Sequence, residues 1–255
     1  MKRASIVYFY FGEGSYLTKL GQEVGTPIGC VLTGKGGYDH SVLLHADPSK
    51  GDRARASLVL EPTRNNFLAT LESLRDGYDA VDVFILSHGN PGVICMQDGD
   101  LTTKTVAALK PFSSLRALYG CNCFGASMLG AWHNVGLKVG AGAHGVNFYP
   151  TEWVRFSRAW VEGVPFADAV KGSETAWART GPQAYIIADA VARAKAWGGN
   201  MLSAATVLGG GSASRKYFET CWGSSWDQSG KETMNRSSAK QIVGATTLRW
   251  DDETS

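Results

Sequence analysis

Two stretches decide the fold: Val83-Phe84-Ile85-Leu86-Ser87-His88-Gly89 and Leu115-Arg116-Ala117-Leu118-Tyr119-Gly120-Cys121-Asn122-Cys123. Each is an apolar run that ends in a residue able to do chemistry. Val81–Leu86 is nearly continuous in apolar residues, as expected of a strand covered on both faces. Leu115–Tyr119 reads as a second such strand. A helical segment, Thr102–Leu109, separates them, so they are one crossover apart and predicted to be parallel neighbours. An imidazole, His88, and a thiol, Cys121, would then emerge side by side at the carboxyl edge of one sheet. That edge is where open α/β folds build their sites.

Working outward, Ile6–Phe11 reads as a buried strand bounded by Gly12 and Gly14. Ile28–Leu32 and Ser41–Leu44 lean towards strand, and Ala56–Leu60 is a further candidate. Pro62 to Asn66 marks a helix start with Asn available as a cap. Phe67, Leu68, Leu71 and Leu74 continue it at helical spacing, and Gly77 stops it. Helices are predicted at Phe124–His133, Thr151–Gly163, Phe166–Arg179 and Ala184–Ala196, with a short strand at Val139–Ala143. Strands alternating with helices over residues 4–163 imply βαβ units and a mostly parallel sheet. The aromatic stripe Trp153, Phe156, Trp160 reads as packing of a helix on that sheet. Gly209–Ser214 reads as a linker, followed by Arg215–Trp226 and a possible strand at Ile242–Trp250. Residues 1–208 are expected to form one domain, and 209–255 a C-terminal extension packed on it.

The chain has 255 residues, 44% of them hydrophobic, and a formal charge of +2. That is an ordinary globular composition, and its scattered Lys and Arg give no nucleic-acid footprint. Cys30, Cys95, Cys121, Cys123 and Cys221 make an odd count with no regular framework, which fits a reducing compartment. No apolar stretch reaches the ~18 residues of a membrane span, and nothing at the N-terminus reads as a signal peptide. A cytoplasmic location is expected. With no Cys-x-x-Cys pair, neither a metal nor another cofactor is expected. Gly34–Gly37 lacks the strand, turn and helix of a phosphate loop. Ser127 does not sit in a Gly-x-Ser-x-Gly elbow.

A thiol acts as a nucleophile through its thiolate, and a neighbouring His holds the proton. Cys121 stands just before a predicted helix, whose N-terminal amides would favour an anion there. Gly89 lets its amide approach a substrate, and Gly120 allows a tight turn out of the strand. The amides of Gly89 and Cys121 are therefore candidate oxyanion donors. Asp82, Asp98 and Asp100 are the acids nearest His88 in sequence, and none has the spacing of a partner. Cys123 offers a second thiol, as rival nucleophile or as resolving partner of Cys121. His144 repeats the His-Gly dipeptide but follows the cysteine. Ser87, Gly120, Asn122, His144 and Asn147 are placed in the substrate cleft.

Ile85-Leu86-Ser87-His88-Gly89 and Leu118-Tyr119-Gly120-Cys121 resemble the caspase-like, clan CD cysteine peptidases. There an apolar strand ends in His-Gly, and the next ends in a small residue and the catalytic cysteine. Gly120-Cys121-Asn122-Cys123-Phe124-Gly125 is nearest in style to the CHAT and separase-type members, although Cys123 and a turn one residue longer depart from it. The resemblance implies a three-layer sandwich of about six strands between helices. It implies His88 as general base, Cys121 as nucleophile and Gly89 as an oxyanion donor, with protein or peptide as substrate. The function expected is a cysteine endopeptidase working through a Cys–His dyad and a thioester. The alternative is a catalytically inactive caspase-like module that binds a protein partner. A third reading, a doubly wound small-molecule binder, would place a ligand near Gly12–Gly14 or Gly89–Gly92.

Overall fold

A computed structural model describes residues 1–10, 37–47, 50–145, 147, 150–174 and 240–252. Seven strands form the main sheet: β1 (Arg3–Tyr10), β2 (His40–His45), β3 (Leu58–Leu60), β4 (Ala80–Ser87), β8 (Leu115–Cys121), β9 (Val139–Ala143) and β10 (Lys240–Gly244). Their order is β10-β9-β8-β4-β1-β2-β3. Every pairing is parallel except that of β10 with β9. Six parallel strands thus match the number expected, and β10 adds an antiparallel seventh. The chain leaves β1 for β2 on one side and returns to β4 on the other, so the topological switch point lies between β1 and β4.

β1, β4 and β8 are apolar because both of their faces are covered. On one face lie α2 (Arg64–Arg75), α3 (Thr103–Ala107) and α4 (Leu129–Asn134). Their Phe67, Leu71, Val106 and Trp132 pack with Ile6, Val83, Ile85 and Leu118 of the strands. On the other face lie α5 (Pro150–Val161) and α6 (Phe166–Ser173). Trp153, Phe156, Trp160, Phe166 and Val170 pack there with Val7, Phe84, Leu86 and Tyr119. The Tyr119 ring stacks on Phe156 with centroids 3.9 Å apart. The result is a three-layer α/β sandwich, and the aromatic stripe is core packing. A short α1 (Lys50–Arg55) links β2 to β3. No described helix is long and apolar enough to cross a membrane.

Several boundaries differ from expectation for identifiable reasons. The cap of α2 is Thr63, not an Asn: its hydroxyl accepts from the Asn66 N–H at 3.1 Å. The helix predicted from Phe124 opens as a 3₁₀ turn, Gly125–Met128, and α4 begins only at Leu129. Phe124 itself sits at φ 57°, a left-handed conformation that cannot start a helix. α6 ends at Ser173, short of Arg179. Three two-residue strands, β5 (Gly89–Asn90), β6 (Val93–Ile94) and β7 (Leu101–Thr102), form a small antiparallel sheet straight after His88. They are too short to leave a periodic signal. The expectations for Gly12–Gly14, Ile28–Leu32, Ala184–Ala196, Gly209–Ser214 and Arg215–Trp226 lie outside the described residues.

The β4–β8 ladder carries one irregularity. Val81 pairs with Leu115, but Asp82 pairs with Ala117, so Arg116 is an extra residue in a bulge. Arg116 turns to Asp82 and holds both carboxylate oxygens, Nε at 2.9 Å and Nη2 at 2.5 Å. Tyr38 Oη (2.7 Å) and Trp160 Nε1 (3.2 Å) donate to the same carboxylate. Both ions are fully buried. Asp82 precedes His88 by six residues along β4, about 20 Å at strand rise. It is a structural anchor, not an orienting partner for His88.

Candidate active site

The register on the carboxyl side of the bulge is Ile85↔Gly120 and Leu86↔Cys121. Leu86 and Cys121 share the α5/α6 face, and His88 follows Leu86 by two residues. The two strand ends picked out by sequence are therefore neighbours at one edge. His88 is half-buried between β4 and β5. Its carbonyl accepts from the Cys95 N–H at 3.0 Å and from the Ser87 hydroxyl at 2.9 Å, which fixes the backbone before Gly89. Asp98 is engaged elsewhere, accepting from the N–H groups of Arg64 and Asn65 at the start of α2.

The two thiols occupy different surroundings. Cys121 is 2% exposed, among the residues packed under α5 and α6. Burial pushes its pKa up to about 12. Lys240 works against that rise, Glu152 and Cys123 add to it, and the Asn147 carboxamide lowers it. Cys123 is half-buried. Burial pushes it up to about 11, while backbone amides of Asn147, Cys123 and Gly89 favour its thiolate. Its Sγ also donates to the Asn147 carbonyl at 3.8 Å. The Gly89 amide thus faces the Cys123 sulphur. The delayed start of α4 leaves no helix N-terminus at Cys121, so the anion-favouring dipole expected there is absent.

Small residues close the site. A Cβ on Gly89 would lie 2.5 Å from the Cys123 carbonyl oxygen and 2.7 Å from Asn122 Nδ2. On Gly120 or Gly125 it would meet Asn122 Oδ1 at 2.8 or 3.0 Å. The Asn122 carboxamide is therefore held among three glycines, 1% exposed. Ser87, Gly120 and Asn122 are all buried. Asn147 is buried against both sulphurs, whereas His144 is exposed past the end of β9. The Cys121-to-Phe124 turn is tied down by the Phe124 N–H to Gly145 O bond at 2.7 Å. Ser127 bridges it to the β5–β6 turn, accepting from the Gly92 N–H at 2.7 Å and donating to the Phe124 carbonyl at 2.6 Å.

Sequence reasoning missed two residues beside Cys121. Lys240, the first residue of β10, and Glu152, in the first turn of α5, form an ion pair of 2.6 Å with both side chains fully buried. Neither carries a motif, and they meet only because β10 returns to the sheet. Among the described residues no group of three or more His, Cys, Asp and Glu could hold a metal ion.

No family model matches the chain, and no curated protein matches it. Among solved structures, it is similar to a secreted C11 cysteine protease from Bacteroides thetaiotaomicron, determined in complex with an irreversible peptide inhibitor. The TM-score is 0.42 at 11% identity, over 67% of this chain and 56% of that one.

Proposed function

We propose that this chain is a cysteine endopeptidase of the caspase-like class, nearest in motif to the CHAT and separase-type members. The observation that carries the reading is the Leu86↔Cys121 register, which brings the His88-Gly89 and Gly120-Cys121 strand ends to one sheet edge. In the proposed reaction the Cys121 proton passes to His88, and the thiolate adds to a peptide carbonyl carbon. The amides of Gly89 and Cys121 hold the oxyanion. As the C–N bond breaks, His88 returns the proton to the leaving amine and a thioester remains. Water then gives a proton to His88 and adds to the thioester. Collapse releases the acid and restores the thiol. The dyad needs no metal or cofactor. The cysteine pattern supports a reducing, cytoplasmic setting. The β9–β10 pairing supports residues 209–255 packing on the 1–208 domain.

The test is labelling by a peptide acyloxymethyl ketone, read by mass, with cleavage of a mixed peptide library. Cys121→Ala and His88→Ala are expected to abolish both, while Cys123→Ala retains both. Equal loss in the two cysteine variants sinks the assignment to Cys121.

A second reading, a silent module that binds a protein partner, is favoured by the burial that keeps Cys121 protonated at neutral pH. It expects no labelling and no cleaved peptide from the wild-type protein.

A further inference from the structure

β10 runs antiparallel to β9, with Lys240 opposite Ala143. Its first residue therefore stands at the same sheet edge as the ends of β8 and β9. On the α5/α6 face β9 presents Val139 at its far end and only small side chains, Ala141 and Ala143, near Lys240. The Lys240 chain can reach across them towards β8. Its Nζ lies 5.6 Å from the Tyr119 ring centroid and 2.6 Å from Glu152 Oε2, fully buried. The Lys240 backbone is anchored as well, its N–H donating to Glu174 Oε1 at 3.1 Å. The charged and titratable groups that act on Cys121 include Lys240 from β10, Glu152 from α5, Tyr119 from β8 and Cys123 from the following turn, with His88 after β4 as the proposed proton acceptor. Lys240 is the standing cation among them. A buried ammonium is costly to keep unless an anion compensates it, and Glu152 does so beside the thiol.

We infer that Lys240, held by Glu152, is a positioning residue whose ammonium stabilises the Cys121 thiolate as its proton leaves. The inference rests on the peptidase reading for its purpose, since a thiolate matters only if Cys121 attacks. In the resting protein burial keeps the thiol neutral. When His88 takes the proton, the negative charge appears in a pocket where a fixed cation already stands and little reorganises. A Lys at the start of a distant strand thereby joins the C-terminal part of the chain to the thiol.

The test is the rate of iodoacetamide alkylation at Cys121 in the full chain at one fixed pH below about 8.5, located by peptide mass. Lys240→Met is expected to slow it roughly tenfold, the loss of thiolate that a rise of about one pH unit gives. Lys240→Arg, which keeps the charge, is expected to stay near wild type. Where Lys240→Met does not fold, Lys240→Gln, which removes the charge and leaves Glu152 a polar partner, is expected to slow alkylation the same way. A folded Lys240→Met or Lys240→Gln variant alkylated at the wild-type rate overturns the inference. The two proposals fail separately. Slowed alkylation in the variant without peptide cleavage by the wild-type protein leaves Lys240 its role and removes the peptidase reading. Cleavage with an unchanged alkylation rate does the reverse.

Discussion

At the residue scale the contact between the two chemical strand ends is made by glycine. The Gly89 α-carbon faces the Cys123 carbonyl so closely that a methyl group has nowhere to go. The obstruction is backbone, which cannot rotate away. Gly89→Ala is expected to separate the His88 and Cys121 segments, lower ketone labelling more than about tenfold, and cost about 1–3 kcal/mol of stability as overpacking does. Labelling kinetics and urea denaturation check it. Gly130 is the control. It is exposed in α4, and a Cβ there meets nothing within 4 Å. Gly130→Ala is expected to leave labelling unchanged and to stabilise by about 0.5–1 kcal/mol through helix propensity. That small residues end the two strands was legible at Gly89 and Gly120. That Asn122 packs among three glycines was not, because a polar residue beside a thiol gives no sign of such an enclosure.

At the element scale the bulge in β8 sets the facing of Cys121. Side chains alternate along a strand, so one extra residue exchanges the two faces beyond it. Without the insertion Leu86 would pair with Gly120, and Cys121 would turn away from α5 and α6. The bulge is pinned by the buried Arg116–Asp82 pair, and Asp82 takes two further bonds from Tyr38 and Trp160. Asp82→Ala leaves that guanidinium buried without its carboxylate and is expected to destabilise by about 3–5 kcal/mol, measured by urea denaturation. The strands themselves were legible because β1, β4 and β8 are covered on both faces and read as continuous apolar runs. The bulge was not, since Asp82 and Arg116 look in sequence like interruptions of those runs and complement each other only across the ladder. The pair Lys240 and Glu152 was hidden for the same reason.

At the scale of the whole molecule the buried acids set an alkaline limit. Burial raises Cys121 to about 12 and Cys123 to about 11, and raises Tyr8, Tyr38 and Tyr119 above the ordinary phenol range. In the unfolded chain these groups lose their protons near 8.5 for the thiols and 10 for the phenols. The folded state binds more protons above those values, so its stability is full below about pH 8.5 and falls as pH rises through the native values. The melting temperature is expected to decline progressively above that pH. Cys121→Ala/Cys123→Ala should flatten the early part of the decline, and a flat profile in the wild-type protein refutes it. The order of the strands has one more consequence. β8 and β9 leave the ribosome long before β10, which is the last of the described strands to be made. At about 5–20 residues per second, synthesis from Cys121 to Lys240 takes on the order of ten seconds. During that interval the nascent chain carries its thiol without its ammonium. On the reading proposed for Lys240, the growing polypeptide is protected from its own chemistry by the clock of translation.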